Sequence, residues 1–371
     1  MKTLKTAFQF DFGTGPAVQG YTKVGAEDWY SSERGYGFDV TSELTALDRD
    51  EAGELKRDFC IPYGATFRLD LPDGLYRVEL WMGDRITETE TTVKGPENQM
   101  LLHRVKTRAG QFVKHNFSIM VQGGQLKLDF SGLAPRLNAM NVAPTDETAI
   151  VFIAGDSTAA NQSPDGYPYA GWGQMFSSFL KGDAATVNRA RSGRSSKSYI
   201  EEKELQRIWD QARSGDYLLI QFGHNDQKQD TKRHTDPSTT YKQYLSEYVE
   251  GARNLGMTPV LITSVQRRFF HSDGSLKDTH GAYLDAVREL AAEKNVPLVD
   301  LADKSARLYT ELGMEGSKSL FMWGAPGEFI HFSEGIQDNT HFQEYGALKI
   351  AELVVEGLKE LSLQPLTLFF R

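Results

Sequence analysis

The sequence predicts an all-β sandwich followed by a three-layer α/β/α domain whose core is a five-stranded parallel sheet. Two apolar patterns indicate this, because residues 1–145 alternate apolar and polar positions whereas residues 148–371 alternate apolar runs with amphipathic stretches. The length of 371 residues also suits two domains of roughly 150 residues each. The segment VAPTDETA at residues 142–149, with a proline and two acids, is the predicted linker.

In the first domain, short strands separated by turns predict an antiparallel sandwich. Residues 66–84 contain two alternating segments on either side of the turn PDG. Residues 111–132 repeat this arrangement around a pair of glycines. The side chains expected to face the core are Phe67, Leu69, Leu71, Tyr76, Val78, Leu80, Phe117, Ile119, Val121, Leu126, Leu128 and Phe130.

The second domain is predicted from five apolar segments that alternate with helical patterns. Near-continuous apolar strands are typical of parallel sheets, which helices cover on both faces. Ligands of such doubly wound sheets bind at the carboxyl ends of the strands, so the residues that follow each strand are the first candidates for a site. The predicted strands lie at residues 149–155, 185–191, 217–223, 259–265 and 297–301, and the predicted helices at residues 171–181, 198–213, 241–256, 281–295 and 346–362.

Composition excludes several classes of function. The net charge of −9 and the absence of a lysine or arginine block argue against a nucleic-acid partner. The single cysteine, Cys60, allows neither an internal disulfide nor a thiolate metal cluster, and we expect it to be a buried core residue. No apolar run approaches the roughly 20 residues that a membrane span needs. The N-terminal segment also lacks an apolar stretch of signal-peptide length, so we expect a protein without a membrane partner that is cytoplasmic, or secreted if a signal peptide has been removed.

The stretch FIAGDSTAAN at residues 152–161 contains the candidate nucleophile, Ser157. A serine attacks esters only when a base removes its proton and a third group orients that base. His341 meets this need, because Asp338 precedes it by three residues at the predicted start of the last helix and an i, i+3 spacing brings both side chains to one side. Taken separately, Asp156 with Ser157 and Asp338 with Asn339 could equally be helix caps, and GHND could be a turn.

Three groups at neighbouring strand ends could stabilise the negative charge of a reacting carbonyl oxygen. They are the backbone N–H groups of Ser157 and Gly193 and the side-chain amide of Asn225. No cofactor is expected. The residues that invite a metal site, His224, His331, Asp226 and Asp338, lack a recognised ligand spacing, so we expect no metal.

The side chains expected to contact substrate lie around the same strand ends. Arg267, Arg268 and His271 follow the fourth strand, where an arginine fork could bind a sugar carboxylate. Trp172 follows the nucleophile segment and could either line the substrate groove or belong to the core. In the first domain, the aromatic residues that could stack on sugar rings, or simply fill the sandwich core, are Trp29, Tyr30, Tyr36 and Trp81.

Four sequence blocks, GDST, RARSGRSS, GHND and DNTH, together resemble the blocks of the SGNH or GDSL-type hydrolases in order and spacing. The resemblance covers roughly residues 150–362, and the details of GDST, GRSS and DNTHF resemble the rhamnogalacturonan acetylesterase branch. The segments FDFGTG, GYGFD, LPDGLYRVELWMGD and LKLDFSG resemble the galactose-binding-like β-sandwich that precedes some esterases of this branch. The absence of a G-x-S-x-G elbow disfavours the ordinary α/β-hydrolase fold.

The resemblance implies a flavodoxin-like SGNH fold and a serine carbohydrate esterase without a cofactor. It assigns Ser157 as nucleophile, His341 as base, Asp338 as its orienting acid, and Ser157, Gly193 and Asn225 as oxyanion donors. The implied substrate is an acetylated oligo- or polysaccharide, above all rhamnogalacturonan fragments derived from pectin. The alternatives are an acetyl xylan esterase, a lipase or thioesterase on the same fold, and a sugar-binding protein without catalysis; the oligomeric state stays open.

Overall fold

The computed structural model describes residues 6–41, 43–50 and 54–371. The chain divides into two compact units. One runs from the start of the described chain to Thr148 and also takes in Leu180–Ala185 and Arg371. The other comprises Ala149–Phe179 and Thr186–Phe370. Among the described residues, no helix combines the length and the apolar character that crossing a membrane requires.

The first unit is built from twelve strands in its described part. Strands β10-β7-β12-β1-β2 form one five-stranded sheet, strands β3-β6-β11-β8-β9 form another, and β4 pairs with β5. All neighbours in the two large sheets are antiparallel except β1 and β2. The strands are β1 (Phe8–Phe12), β2 (Thr22–Val24), β3 (Tyr36–Phe38), β4 (Glu43–Asp48), β5 (Asp58–Tyr63), β6 (Ala65–Asp70), β7 (Gly74–Gly83), β8 (Thr89–Lys94), β9 (Met100–Thr107), β10 (Phe112–Val121), β11 (Gln125–Ala134) and β12 (Ala139–Pro144).

The alternating pattern of this unit is confirmed, because all twelve side chains predicted to face its core are at most 3% exposed. The two short connections join different sheets, however, since β6 and β7 do not pair with each other and neither do β10 and β11. Each connection therefore carries the chain from one sheet to the other, which lets successive apolar faces pack against each other. Cys60 is buried as expected, and burial raises the pKa of its thiol to about 12.

The remaining strands and the helices correspond to the alternating apolar and amphipathic segments predicted for residues 148–371. The strands are β13 (Ala149–Gly155), β14 (Tyr169–Ala170), β15 (Ala184–Asn188), β16 (Tyr217–Gln221), β17 (Thr258–Ile262), β18 (Leu298–Val299), β19 (Phe321–Gly324) and β20 (Ile336–Gln343). The helices are α1 (Trp172–Phe176), α2 (Ser196–Glu201), α3 (Glu204–Trp209), α4 (Thr240–Asn254), α5 (Ala282–Glu293), α6 (Leu301–Gly316) and α7 (Glu344–Glu360).

A five-stranded parallel sheet in the order β15-β13-β16-β17-β18 confirms the predicted fold class. Every residue of β16 is buried, as expected of a strand that helices cover on both faces. The strand order changes direction at β13, which has β15 on one side and β16 on the other. This switch point is where doubly wound sheets bind their ligands, and Ser157, Gly193 and Asn225 follow these three strands.

Several helical predictions need correction. The helix expected over residues 198–213 is divided into α2 and α3 at Lys203, whose backbone adopts a left-handed conformation with φ of 62°. Helix α6 was not predicted, because its few buried side chains, including Leu301, Ser305 and Tyr309, give only a weak apolar period. The antiparallel sheet β14-β20-β19 was not predicted either, since the sequence of β20, IQDNTHFQ, is mostly polar.

Strand β20 contains a large bulge, in which four residues stand opposite one. Phe342 pairs with Phe321 and Gln337 pairs with Trp323, so residues 338–341 stand opposite Met322 alone. A bulge of this kind redirects side chains out of the strand ladder. The expectation that Asp338 and His341 lie at a helix start is therefore wrong, because they lie in this bulge and α7 begins only at Glu344.

Gly346 in the first turn of α7 provides a test of how closely this helix approaches the backbone of Leu320. A Cβ atom at this position would overlap the backbone carbonyl of Leu320, which cannot move as a side chain would. We expect Gly346→Ala to lower the free energy of unfolding by about 1–3 kcal/mol in urea titrations. The control, Gly316→Ala, would place its Cβ in ordinary contact with Leu312, 3.5 Å away. Equal stabilities of the two variants would contradict the close approach of α7.

Candidate active site

Ser157 lies in a tight turn directly after β13. The backbone carbonyl of Asp156 accepts hydrogen bonds from the N–H groups of Ala159 (3.2 Å) and Ala160 (3.0 Å), so the chain makes a single turn. The next helix, α1, begins only at Trp172. The predicted helix start at Ser157 is therefore replaced by this turn, which leaves the serine 7% exposed at the carboxyl edge of the sheet.

The structure brings Ser157, His341 and Asp338 into one hydrogen-bonded line. Ser157 Oγ lies 2.9 Å from His341 Nε2, and His341 Nδ1 lies 2.7 Å from Asp338 Oδ2. The other oxygen of Asp338, Oδ1, accepts the backbone N–H groups of Thr340 (2.7 Å) and His341 (3.1 Å). Burial opposes ionisation of Asp338, but these donors and the imidazole lower the pKa of the carboxyl below its usual value. The arrangement suits proton transfer from the serine hydroxyl to the imidazole.

Arg268 is hydrogen-bonded to Asn339, which lies in the bulge of β20. Its backbone N–H donates to the carbonyl of Asn339 (2.7 Å), and its guanidinium donates to Asn339 Oδ1 (2.9 Å), Ser317 Oγ (3.0 Å) and the carbonyl of Met314. Trp323 Nε1 also donates to Asn339 Oδ1, at 3.0 Å. Arg268 is only 6% exposed and its donors point into the protein. These contacts hold Asn339, the residue between Asp338 and Thr340, and a contact of Arg268 with substrate stays a prediction.

Two further predicted donors lie on the loops beside Ser157. Gly193 follows β15 with φ of +81°, a conformation that glycine adopts readily and other residues rarely. Asn225 follows β16, and its Nδ2 donates to the carbonyl of Arg194 at 3.1 Å. Because an amide nitrogen carries two hydrogens, this bond orients the Asn225 amide and leaves it a second donor.

Three consecutive residues after β16 contact the two chain segments that follow β13 and β15. His224 Nδ1 lies 3.2 Å from Asp156 Oδ2, next to Ser157. Asn225 contacts Arg194, as described above. Asp226 Oδ1 accepts the backbone N–H (3.1 Å) and the hydroxyl (2.5 Å) of Ser196. The loop after β16 is thus hydrogen-bonded to the loops that follow β13 and β15.

Trp172 belongs to the core, not to a substrate groove. The side chain has no exposed surface, and its Nε1 donates to Gln221 Oε1 at 2.6 Å. Gln221 Nε2 donates in turn to Thr158 Oγ1 (3.0 Å), whose hydroxyl donates to Asp156 Oδ1 (2.8 Å). Of the two alternatives that the sequence left open for Trp172, the structure therefore shows the core, where the residue anchors a buried chain of hydrogen bonds that ends beside Ser157.

Burial shifts the protonation of the acids and imidazoles around these loops. Burial raises the pKa of Asp226 to about 7, against the effect of the bonds from Ser196 and Thr235. Burial also lowers the pKa of His224, so its imidazole is neutral and donates through Nδ1. Asp156 is fully buried, yet the bonds from His224 and Thr158 hold its pKa below the usual value.

Two further side chains also border Ser157: Tyr169, which the sequence left open between the core and the substrate groove, and Gln162, which it did not single out. Tyr169 packs edge-on against His341 with 5.1 Å between ring centroids, and its hydroxyl faces Ser157 and Ser192. Burial raises the pKa of this phenol. Gln162 Nε2 donates to the carbonyl of Ser157 (3.1 Å) and to Ser192 Oγ (3.3 Å). Gln162 belongs to no motif or periodic pattern, so only its neighbours in space indicate its place at the site.

The other predicted contacts remain predictions. Arg267 is half-buried and donates to Gln227 Oε1 (2.9 Å), Thr279 Oγ1 (3.0 Å) and the carbonyl of His224 (3.3 Å), and burial lowers its pKa. His271 lies exposed in the loop after β17. Within the described part of the chain, no group of three or more His, Cys, Asp or Glu side chains has the geometry to hold a metal ion.

The aromatic residues singled out in the first unit do not form one platform. Tyr36 lies on β3 in one sheet, whereas Trp81 lies on β7 in the other. The Tyr36 ring packs on Phe10 with 4.9 Å between centroids, and the Tyr30 hydroxyl donates to Asp70 at 3.0 Å. Tyr30 and Tyr36 are thus engaged within the sandwich.

The raised pKa of Asp226 predicts a dependence of stability on pH. The folded protein holds this proton up to about pH 7, whereas the ordinary carboxyl pKa is 3.8. The contribution of Asp226 is therefore fully present below the lower value and is lost as the pH rises to the higher one. In urea unfolding at about pH 5 and about pH 8, we expect Asp226→Asn to reduce the loss of stability between the two conditions. Exposed Asp285→Asn is the control; an unchanged loss in Asp226→Asn would contradict a buried proton.

Two family models match the chain. Residues 153–337 match the GDSL-like Lipase/Acylhydrolase family, and residues 8–132 match the Beta-agarase/YXIM esterase-like, galactose-binding domain-like family. Both matches agree with the resemblances seen in the sequence. They assign the sandwich and the α/β domain to separate families.

Curated relatives and a solved structure extend this likeness. Rhamnogalacturonan acetylesterase RhgT of Bacillus subtilis (strain 168) is 47% identical over 213 residues, which span 57% of this chain and 90% of that protein. The probable rhamnogalacturonan acetylesterase YesY of the same organism is 44% identical over 218 residues, 58% of this chain and 95% of that protein. The crystal structure of YxiM from Bacillus subtilis has a TM-score of 0.54 and 27% identity, and the match covers 96% of this chain and 99% of that chain. The chain therefore belongs to the GDSL-like lipase/acylhydrolase family and is a serine esterase with an N-terminal galactose-binding-like domain.

Proposed function

We propose that this protein removes acetyl groups from rhamnogalacturonan saccharides with Ser157 as nucleophile. The observation that carries the proposal is the line of hydrogen bonds from Ser157 through His341 to Asp338, at 2.9 and 2.7 Å. RhgT and YesY align with this chain over most of their own length, and their names support rhamnogalacturonan as the substrate. A polar surrounding of the serine, with Gln162 and Tyr169 nearby, suits a sugar hydroxyl better than a long acyl chain.

The first half of the reaction forms an acetyl-enzyme. Ser157 Oγ attacks the acetyl carbonyl carbon while its proton passes to His341 Nε2, and the carbonyl electron pair moves onto the oxygen. Asp338 stabilises the imidazolium that results, because its carboxylate already lies 2.7 Å from Nδ1. The intermediate then expels the sugar oxygen, which takes the proton from His341 and leaves as a hydroxyl.

The negative oxygen of the intermediate needs donors that are already in place. The N–H groups of Ser157 and Gly193 and the second hydrogen of the Asn225 amide supply them in this proposal. Losing one such donor costs about 10²- to 10³-fold in turnover. In the second half, His341 takes a proton from water, the water oxygen attacks the acetyl carbon, and acetate leaves as Ser157 regains its proton.

Replacing the nucleophile tests the assignment. We expect Ser157→Ala to lower kcat on 4-nitrophenyl acetate by about 10⁴-fold or more, because the variant lacks the oxygen on which the proposed acetyl-enzyme forms. Its melting temperature should stay near that of the wild type, since the serine packs no core. Ser246→Ala is the control, as that hydroxyl only caps a carbonyl within α4. Comparable activity of Ser157→Ala and the wild type would contradict the assignment.

The substrate is tested with a panel of acetylated polymers. We expect the wild-type protein to release acetate from acetylated rhamnogalacturonan with a kcat/KM at least about tenfold above that for acetylated xylan. Hydrolysis of 4-nitrophenyl octanoate should be slower than that of the acetate, since polar groups surround Ser157. A preference for xylan would favour an acetyl xylan esterase, and a preference for the octanoate would favour a lipase.

A further inference from the structure

We propose that the hydrogen bond between Asp156 and His224 is a positioning device that sets the Asn225 amide against Ser157. The proposal rests on the function proposed above, because it concerns the geometry of the same reaction. Neither Asp156 nor His224 needs to touch substrate. Each is the immediate neighbour of a residue that does, since Asp156 precedes Ser157 and His224 precedes Asn225.

The backbone ladder alone leaves this geometry open. Strands β13 and β16 pair in parallel, and their last partners are Gly155 and Gln221. Ser157 and Asn225 both lie beyond that last pair, in loops that no longer share strand hydrogen bonds. The bond from His224 Nδ1 to Asp156 Oδ2, at 3.2 Å, connects the two loops at the residues next to the reacting groups.

Because the side chains of Asp156 and His224 are both buried, their hydrogen bond requires a specific geometry. Asp156 has no exposed surface and His224 is 4% exposed. A buried carboxylate is tolerated only when its oxygens are hydrogen-bonded. Thr158 donates to Oδ1 through its backbone N–H (2.9 Å) and its hydroxyl (2.8 Å), which leaves Oδ2 to His224. The carboxylate therefore fixes the turn of Ser157 through one oxygen and the loop of Asn225 through the other.

His224 is itself held in one orientation and one protonation state. Its ring packs edge-on against His280, with 4.6 Å between centroids, and its carbonyl accepts a bond from Arg267. Burial lowers its pKa, the charges of Arg267 and His341 act in the same direction, and Asp156 opposes them. The neutral imidazole keeps its proton on Nδ1, where the Asp156 carboxylate accepts it.

The expected effect is on turnover and not on substrate binding. A displacement of about 1 Å in a reacting group can cost about 10²-fold in rate. Without the link to Asp156, the Asn225 amide would lose its alignment with the oxyanion, which forms during the reaction and is absent from the bound ester. We therefore expect a fall in kcat of about 10²-fold with KM changed less than about threefold.

Two amide variants of His224 separate the role of its hydrogen bond from that of its packing. The amide nitrogen of His224→Asn can occupy the place of Nδ1 and donate to Asp156, whereas that of His224→Gln reaches the place of Nε2. On 4-nitrophenyl acetate we expect the Asn variant to keep at least about tenfold more kcat than the Gln variant at similar melting temperature. The control, Tyr309→Phe, alters a fully buried polar side chain of α6 whose ring packs on Phe321 and not on His224. Equal kcat of the Asn and Gln variants would overturn the proposal.

A double-mutant cycle with Asn225→Ala makes the test decisive. If His224 acts through Asn225, then His224→Gln should lower kcat by less than about threefold once Asn225 is already alanine. Independent losses that multiply in the double variant would overturn the proposal. Failure of the proposed function has a different signature, namely that wild type and Ser157→Ala hydrolyse 4-nitrophenyl acetate alike. The contrast between those two proteins stays intact if only the positioning role is wrong.

Discussion

The need to satisfy two buried carboxyl groups organises the whole site. Asp156 and Asp226 lie at the carboxyl edge of the parallel sheet with no exposed surface, and a buried polar group without a hydrogen-bond partner costs about 1–3 kcal/mol. Asp156 is satisfied by His224 and Asp226 by Ser196, so both acids bind loops other than their own. The loops that carry Ser157, Gly193 and Asn225 are drawn together by this requirement and not by any contact with substrate.

Two carboxylate and imidazole pairs of similar chemistry lie within this site, and burial separates their roles. The side chains of His341 and Asp338 keep 29% and 31% of their surface exposed, so a proton can move between this imidazole and a bound reactant. His224 and Asp156 keep 4% and none, and the buried imidazole is held neutral. The partly exposed pair suits proton transfer, whereas the buried pair suits the maintenance of a distance between two loops.

The bulge in β20 shows how a strand can present an acid and a base that are three residues apart. Side chains of a regular strand at i and i+3 point to opposite faces, so Asp338 and His341 could not meet there. Four residues standing opposite Met322 turn the backbone enough for Asp338 to accept two N–H groups of its own segment and the imidazole as well. Arg268 secures this shape through its hydrogen bond to Asn339.

The sequence by itself determined the two fold classes, the five parallel strands and the blocks that contain Ser157, Asn225 and His341, because strand periodicity and strand-end residues are local properties. Only the tertiary structure decided that β6 and β7 belong to different sheets and that a bulge replaces the expected helix start before α7. It also decided that the side chains of Trp172 and Arg268 are buried. Pairing partners and the acceptors of a guanidinium or an indole come from segments distant in the chain. Their choice depends on which polar groups burial leaves unpaired, and no local pattern encodes that.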